Sequence, residues 1–189
     1  MKNIVHIFGA SGSGTSTLGQ YIGEQLGYTV LDSDDYFWLP TSTHFTVKRE
    51  PAERIALMKR DIERAENVVI SGSLASWGDP LIPMFTLAVR LITETSERLR
   101  RIRAREYGRF GERILPGGDM FEQHQAFLKW ASEYDDGPVT MRSKRMHNEW
   151  QKQLSCKLLT LSGSDPLAQN FEAVRKELDI YWRYPAKGE

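Results

Sequence analysis

A glycine-rich segment near the start of the chain has the spacing of a phosphate-binding loop. It follows a short apolar run and precedes a stretch of helical periodicity, which is the context that such a loop requires. Its members are Gly9, Ala10, Ser11, Gly12, Ser13, Gly14, Thr15 and Ser16. Glycines allow backbone N–H groups to turn toward an anion, and the following helix N-terminus adds positive potential. We therefore predict that the loop binds phosphate; the alternative is an ordinary glycine-rich turn without a ligand.

The loop departs from the pattern G-x-x-x-x-G-K-[S/T] at one position, because Thr15 stands where a lysine is expected. That lysine normally reaches the β- and γ-phosphates of a nucleotide as a point charge. Its absence predicts either weak catalysis or another cation that takes its place. Ser16 keeps the hydroxyl that would bind Mg²⁺.

An acidic run, Asp32-Ser33-Asp34-Asp35, follows the second apolar run of the chain. If that run is a strand of a parallel sheet, its carboxyl end lies at the crevice where such sheets bind ligands. One carboxylate there can hold Mg²⁺, and another can accept the proton of an attacking hydroxyl. The alternative is a solvated turn in which Asp34 or Asp35 caps a short helix.

Seven arginines fall within sixteen residues of a chain whose overall charge is balanced. They are Arg98, Arg100, Arg101, Arg103, Arg105, Arg109 and Arg113. We interpret Arg98 to Arg103 as the solvated face of a helix, because charge runs usually are. Arg105, Arg109 and Arg113 recur every four residues toward a glycine-containing loop. Their guanidinium groups could neutralise a transferring phosphoryl group and replace the missing lysine.

The elements that must position these residues alternate along the chain. Short apolar runs at residues 4–8, 29–31, 67–70, 85–92 and 156–161 predict strands. Helical periodicity fills most of the intervals, with Gly27 as a stop and with Thr95 and Asp79 as N-caps. Strands separated by helices imply right-handed crossovers. We therefore predict a three-layer α/β/α fold with a five-stranded parallel sheet.

Residues 108–153 depart from this alternation and predict a helical insertion, or lid, on the sheet. The whole chain, residues 1–189, is otherwise expected to form a single domain.

Composition excludes several classes of protein. The 189 residues include 25 basic and 25 acidic side chains, which argues against a general binder of nucleic acid or membrane surfaces. The chain has one cysteine, Cys156, and no internal disulfide can form from it, so we expect a reducing, cytoplasmic setting. No apolar run approaches the roughly 18 residues of a membrane span. His124 and His147 lack companions at metal-binding spacing, so no zinc site is predicted.

Three of these segments resemble those of shikimate and gluconate kinases, which are P-loop kinases. They are the phosphate loop, the run from Asp32 to Asp34, and the third strand with its ending Ser71-Gly72-Ser73. The pattern D-Y-F-W-L-P from Asp35 to Pro40 is similar to small proteins labelled adenylate kinase or topology-modulation protein. The resemblance covers residues 3–115 and 156–180.

The resemblance implies a role for each region of the candidate site. Asp32, together with Ser16, would hold Mg²⁺, and Asp34 would grip and orient the hydroxyl of the acceptor. The third strand lacks the terminal aspartate of an ordinary Walker B motif, which leaves Asp32 as the better metal ligand. Arg105, Arg109 and Arg113 would close over the triphosphate as part of the lid.

We therefore expect an adenylate kinase-like enzyme that binds ATP and Mg²⁺ and phosphorylates a small molecule or a nucleoside monophosphate. The alternative is a nucleotide-binding protein with little turnover, acting as a sensor or regulator. The acceptor, the base preference and the choice between monomer and homodimer stay open at this stage.

Overall fold

The fold is built on five parallel strands in the order β2-β3-β1-β4-β5. The computed structural model describes residues 2–41 and 45–183, with side chains as far as Leu178. The strands are β1 (Ile4–Gly9), β2 (Thr29–Asp32), β3 (Val68–Ser71), β4 (Leu87–Ile92) and β5 (Lys157–Ser162). Ile7 of β1 pairs with Ser71 on one side and with Val89 on the other. The five-stranded parallel sheet predicted from the sequence is confirmed.

Seven α-helices connect or follow these strands in the described residues. They are α1 (Thr15–Leu26), α2 (Ser33–Phe37), α3 (Pro51–Arg64), α4 (Thr95–Phe110), α5 (Phe121–Ser132), α6 (Lys144–Trp150) and α7 (Leu167–Arg183). Short 3₁₀ helices span Asp79–Met84, Gly111–Ile114 and Gln151–Gln153. None of the described helices is long and apolar enough to cross a membrane.

The sheet is covered on both faces because successive residues of a strand point to opposite sides. Ile4 and Phe8 of β1 belong to a core cluster that contains Met58 of α3. Val5 and Ile7 belong to a second cluster, formed mainly with α1 and α7. Two cores, one on each face, make the three-layer α/β/α arrangement.

Two of the N-caps predicted from the sequence are wrong. The N-cap position of α4 is Glu94, and Thr95 is the first helical residue. The Thr95 hydroxyl is used in a side-chain cluster, where it donates to Asp135 and accepts from Arg98. Asp79 is likewise the first residue of its 3₁₀ helix, and its carboxylate accepts a 2.8 Å hydrogen bond from Trp150. Both side chains form hydrogen bonds with residues distant in sequence instead of capping their helices.

Arg98 also departs from the prediction, because its side chain is buried rather than solvated. It donates hydrogen bonds to the carbonyl oxygens of Thr93 and Ala131 and to the Asp135 carboxylate. Its guanidinium lies over the Tyr134 ring, 5.0 Å from the centroid. The segment that follows α5 covers this end of α4, so the first arginine of the run holds two segments together.

Residues 108–153 contain both α5 and α6, and the two helices pack in different places. Leu128 and Ala131 of α5 bury themselves against Ile102 of α4, in a small cluster of their own. Trp150, at the end of α6, belongs to the core beneath the sheet. The end of this segment is therefore integrated into the main body of the fold.

Candidate active site

The phosphate loop connects β1 to α1 and takes a shape that depends on its glycines. Gly12 and Gly14 have φ angles of +80° and +102°, in the left-handed region that side chains rarely adopt. A Cβ at Gly12 would also lie 2.6 Å from the carbonyl oxygen of Arg98. The loop is thus packed closely against the start of α4, and only glycine fits at residue 12.

Two hydrogen bonds brace the loop, one from Thr93 and one within the loop itself. Thr93 donates to the carbonyl oxygen of Ser13 at 3.2 Å, and the Ser13 N–H donates to Ala10 at 3.1 Å. No side chain caps the N-terminus of α1, which begins directly after Gly14. The first N–H groups of this helix are consequently available to an anion.

Asp32 joins the phosphate loop to the ends of two neighbouring strands. Its Oδ2 atom accepts a 2.9 Å hydrogen bond from the Ser16 hydroxyl and a 3.4 Å bond from Ser71. Its Oδ1 atom accepts from the Asp34 N–H at 3.0 Å and so caps α2. The short helix considered as an alternative is present, but its cap is Asp32 rather than Asp34 or Asp35.

The donor set of Ser16 and Asp32 fits Mg²⁺. Both residues present oxygen atoms beside the phosphate loop, and those atoms already lie within hydrogen-bond distance of each other. Mg²⁺ prefers oxygen ligands and is usually held by one or two protein groups together with substrate phosphates and water. In the described residues there is no cluster of three or more His, Cys, Asp or Glu that would form an all-protein metal cage.

The Asp34 carboxylate is partly buried and makes no side-chain hydrogen bond with the described residues. Burial raises the pKa of Asp34 above its ordinary value, and the positive charge of Arg142 opposes that shift. Asp32 raises the pKa further and Arg105 lowers it. A carboxylate in this setting is a stronger base than an exposed one and is free to accept a proton.

The three arginines predicted for the site lie in different surroundings. Arg105 is close enough to Asp34 to influence its charge, and it also pairs with Glu106 at 3.2 Å. Arg109 is half-exposed and lies 4.0 Å from the same glutamate. Arg113 is exposed and forms a 2.7 Å ion pair with Asp119. Of the three, Arg105 is therefore the one whose charge acts on Asp34, whereas the described contacts of Arg109 and Arg113 are with Glu106 and Asp119.

Arg142 is the residue that sequence reasoning missed. It lies between α5 and α6, and its strongest electrostatic partner is Asp34, followed by Asp32. A single arginine in an irregular segment carries no spacing signal, and nothing in the local sequence points toward the end of β2. Only in the folded chain does the charge of Arg142 act on Asp34.

His147 of α6 fastens this segment to the sheet. Its ring nitrogens form 2.8 Å hydrogen bonds with the hydroxyls of Ser73 and Tyr134. The ring is fully buried, and burial lowers the pKa of His147 to about 3, so the imidazole is neutral and can donate on one side while it accepts on the other. Ser73 follows β3 by two residues, which places this junction beside the carboxyl edge of the sheet.

An aromatic and basic wall lies next to the acidic run. Trp77 is buried and donates to the carbonyl oxygen of Ser73 at 3.3 Å. The guanidinium of Arg54 in α3 lies 4.0 Å from the centroid of the Phe37 ring and 5.8 Å from that of Trp77. The Phe37 and Trp77 rings meet edge-on, with centroids 6.2 Å apart, so two aromatic rings and one guanidinium form a compact cluster beside α2.

Comparisons with known proteins agree with this geometry. An uncharacterized protein of Bacillus subtilis (strain 168), YqaC, is 44% identical over 161 residues, which cover 85% of this chain and 89% of the relative. Cytidylate kinase of Methanoregula boonei is 26% identical over 109 residues, or 52% of this chain and 58% of that kinase.

Two solved structures share the fold across nearly their whole length. A gluconokinase from Sinorhizobium meliloti 1021 gives a TM-score of 0.53 at 19% identity, covering 96% of this chain and 97% of the other. A shikimate kinase from Bacteroides thetaiotaomicron gives a TM-score of 0.55 at 14% identity, covering 94% and 98%. Residues 5–125, which carry the phosphate loop, the acidic run and α4, match the family described as AAA domain. The chain therefore belongs to the AAA domain family, with the fold of the small-molecule P-loop kinases.

Proposed function

We propose that this chain is an ATP- and Mg²⁺-dependent phosphotransferase that acts on a small molecule or a nucleoside monophosphate. The observation that carries the proposal is the set of contacts around Asp32. Its carboxylate binds the Ser16 hydroxyl of the phosphate loop, and the next acidic side chain, Asp34, is left free of hydrogen bonds to the described residues. A phosphate site, a pair of hard oxygen ligands and a free carboxylate thus share one crevice.

The proposed reaction assigns a single task to each group of residues. The N–H groups of residues 9–16 that are not already used within the protein, as that of Ser13 is, bind the nucleotide phosphates. Ser16 with Asp32 would hold Mg²⁺, which would supply positive charge to the phosphates. Asp34 accepts the proton of the acceptor hydroxyl, whose oxygen forms a bond to the γ-phosphorus while the bond to the β-phosphate oxygen breaks. ADP and the phosphorylated acceptor are the products. Residues 108–153 are the proposed lid, anchored at its end by Trp150 in the core. Arg109 and Arg113 within it, and Arg105 just before it, would close over the triphosphate.

The class of acceptor is supported by the wall next to Asp34 and by the names of similar proteins. The rings of Phe37 and Trp77, which contact each other, and the guanidinium of Arg54 beside them suit a planar or polar small molecule. One relative is named a cytidylate kinase, which favours a nucleoside monophosphate, and the neighbours in fold include a gluconokinase. We also propose a reducing, cytoplasmic setting, which the single cysteine of the sequence, Cys156, favours.

A nucleotide-binding protein with little turnover is the second candidate. Thr15 favours it, because the charge that normally contacts the β- and γ-phosphates is missing from the loop. In that case the same crevice would bind nucleotide as a sensor or regulator.

The two candidates are separated by the release of ADP from ATP and Mg²⁺ in the presence of a panel of nucleoside monophosphates, sugars and hydroxy acids. For the enzyme, Asp34→Asn should lower acceptor-stimulated turnover by about 10²- to 10⁴-fold, the usual contribution of a general base, with little change in melting temperature. Asp35→Asn, at the exposed neighbouring carboxylate, is the matched control and should keep turnover near wild type. Tight nucleotide binding without acceptor-stimulated turnover would favour the second candidate, and normal turnover in Asp34→Asn would remove Asp34 from the mechanism.

A further inference from the structure

A groove lies between α4, the turn after it and the first half of α5. Its volume is about 550 Å³, within the range of sites that hold a small organic molecule. We call it the α4–α5 groove, and its chemistry depends on six lining residues: Arg103, Tyr107, Leu115, Phe121, His124 and Leu128. In the described chain, no residue that lines the groove is acidic, and none of them has a task in the proposed reaction.

Apolar side chains form most of the α4–α5 groove. Leu128 is buried and packs in the small cluster that it shares with Ile102 of α4. Tyr107 is 51% exposed and Leu115 is exposed as well, so both present apolar surface to water. Phe121, the first residue of α5, is partly buried. A ligand with an apolar body would remove this surface from water, which favours its binding.

His124 brings an unpartnered polar group into this apolar lining. Its side chain is more than nine-tenths buried, and neither ring nitrogen has a hydrogen bond to a described residue. Nδ1 is sealed from solvent, and a sealed N–H without an acceptor would cost more than a sealed lone pair. The proton of the neutral ring therefore belongs on Nε2, which becomes a donor without an acceptor in the described protein.

Arg103 supplies a positive charge to the same groove. It is an exposed arginine of α4 and forms no hydrogen bond or ion pair with the described residues. The arginines just before it are different, because Arg100 and Arg101 both pair with Glu97 at 2.7 Å. The planar guanidinium of Arg103 is thus left to bind an anion, and two of its N–H groups can contact two oxygens of that anion at once.

The α4–α5 groove lies on a different side of α4 from the phosphate loop. The Nη1 atom of Arg101 is 3.6 Å from the position of a Cβ on Gly14, so this side chain faces the loop. Arg103 is two residues further along, which is about 200° around the helix axis. A molecule in the groove would therefore leave the nucleotide crevice unoccupied.

We propose that the α4–α5 groove is a second ligand site, which takes a small organic anion with a flat apolar body, such as an aromatic carboxylate or sulfonate. The anionic group would contact Arg103 and the Nε2–H of His124, and the rings would lie against Tyr107 and Leu128. Charge complementarity selects this class of ligand. An unpaired cation and a free donor match an anion, whereas a cationic ligand would find no acidic side chain in the groove. The assignment does not depend on the proposed function.

Two fluorescent probes with the same rings but different charge test the assignment. Anilinonaphthalene sulfonate is anionic, and phenylnaphthylamine lacks the sulfonate. Titrated against the full chain, with and without Mg²⁺–ATP, the sulfonate should bind saturably at one probe per chain. Arg103→Gln should weaken its binding by about 10- to 100-fold, the range for a hydrogen bond to a charged group, and that of the neutral probe by less than about threefold.

Two further variants locate the bound probe. His124→Phe keeps a ring but removes both nitrogens, and it should weaken binding of the sulfonate by about tenfold. Arg145→Gln is the matched control, because Arg145 of α6 is also exposed and also lacks a partner among the described residues, but does not line the groove. It should leave both affinities unchanged. Melting temperatures show whether each variant is folded.

Nuclear magnetic resonance of ¹³C-labelled histidine gives a readout that does not depend on affinity. The ring signal of His124, assigned from its loss in His124→Phe, should shift as the sulfonate is added. The signals of His6 and His147 should stay in place, because both rings are fully buried in the core of the fold.

Four outcomes would overturn the assignment. They are a wild type without saturable binding of the sulfonate, equal losses for the two probes in Arg103→Gln, a stationary His124 signal, and a groove covered by a second copy of the chain. The last would appear as probe affinity that falls with rising protein concentration while sedimentation shows a dimer. None of the four bears on phosphoryl transfer in the crevice, which ADP release tests separately.

Discussion

The two sides of the crevice are built by different means. On the nucleotide side, consecutive residues of one loop take a fixed shape because Gly12 and Gly14 adopt positive φ and pack against α4. On the acceptor side, Asp34 and Arg142 come from distant regions of the chain, and the segment that carries Arg142 is fastened by the hydrogen bond between His147 and Ser73. The nucleotide side depends on backbone conformation, so adding a single Cβ should disrupt the phosphate loop. The second depends on buried polar contacts and should respond to protonation.

The largest effect on stability is expected from Gly12→Ala, which changes the phosphate loop on the nucleotide side. The added Cβ would lie 2.6 Å from the Arg98 carbonyl oxygen, on a residue with φ of +80°. Steric overlap and the left-handed conformation together should lower the free energy of unfolding by about 2–5 kcal/mol and should abolish tight nucleotide binding. Urea unfolding and calorimetry measure the two effects.

Gly27→Ala is the matched control for that experiment. Gly27 also has positive φ, +69°, but a Cβ there meets nothing within 4 Å. It should cost only the conformational contribution, about 1–2 kcal/mol, and nucleotide affinity should stay at the wild-type level. Equal costs at both glycines would show that the close approach to α4 does not shape the loop.

A decrease of intermediate size in the free energy of unfolding is expected when the pH falls. Burial lowers the pKa of His6 to about 4 and that of His147 to about 3. The unfolded chain takes up protons below about pH 6.5 while the folded chain does not, so stability falls as pH decreases through this range. Between pH 6.5 and 5, each histidine should cost about 2 kcal/mol of the free energy of unfolding.

His147→Gln isolates the histidine that fastens the acceptor side. Its free energy of unfolding should fall by about 2 kcal/mol less than that of the wild type over the same pH interval, because one of the two histidines has been removed. Urea unfolding at pH 6.5 and 5, followed by tryptophan fluorescence, gives the comparison. An unchanged pH dependence would contradict the assignment of a buried, neutral imidazole.

The smallest effect is expected from Arg113→Gln. The ion pair of Arg113 with Asp119 is exposed on both sides and contributes little in water. The melting temperature should change by no more than about 2 °C, and salt should reduce even that difference. A much larger change would mean that this region, and not only the two sides of the crevice, stabilises the fold. The role of Arg113 over the triphosphate stays a prediction that turnover measurements would test.

The same contrast explains which features of the fold and of the candidate site can be predicted from the sequence. The phosphate loop, the parallel sheet with its covering helices and the position of Asp32 were predictable, because short patterns in consecutive residues determine them. Arg98 was misread as solvated, since a run of charges does not show that Ala131 and Asp135 will cover it. Arg142 was missed because its neighbours in the site are supplied by the tertiary fold. Side-chain junctions between distant segments leave no local pattern.

The exposed turn after the 3₁₀ helix at Gly111–Ile114 has a consequence for breaking the chain. Leu115 is 43% exposed, and Gly117 has open space around it. On the N-terminal side, the buried Arg98 cluster secures α4, while on the C-terminal side Trp150 is sealed into the main core. A cut in this turn would break the 2.8 Å hydrogen bond from the Gly118 N–H to the Leu115 carbonyl oxygen but would leave both of these anchors in place. Two fragments divided at residues 115–117 should therefore reassemble into the folded protein without a covalent link. This turn is accordingly a suitable place to split the protein or to insert a reporter domain.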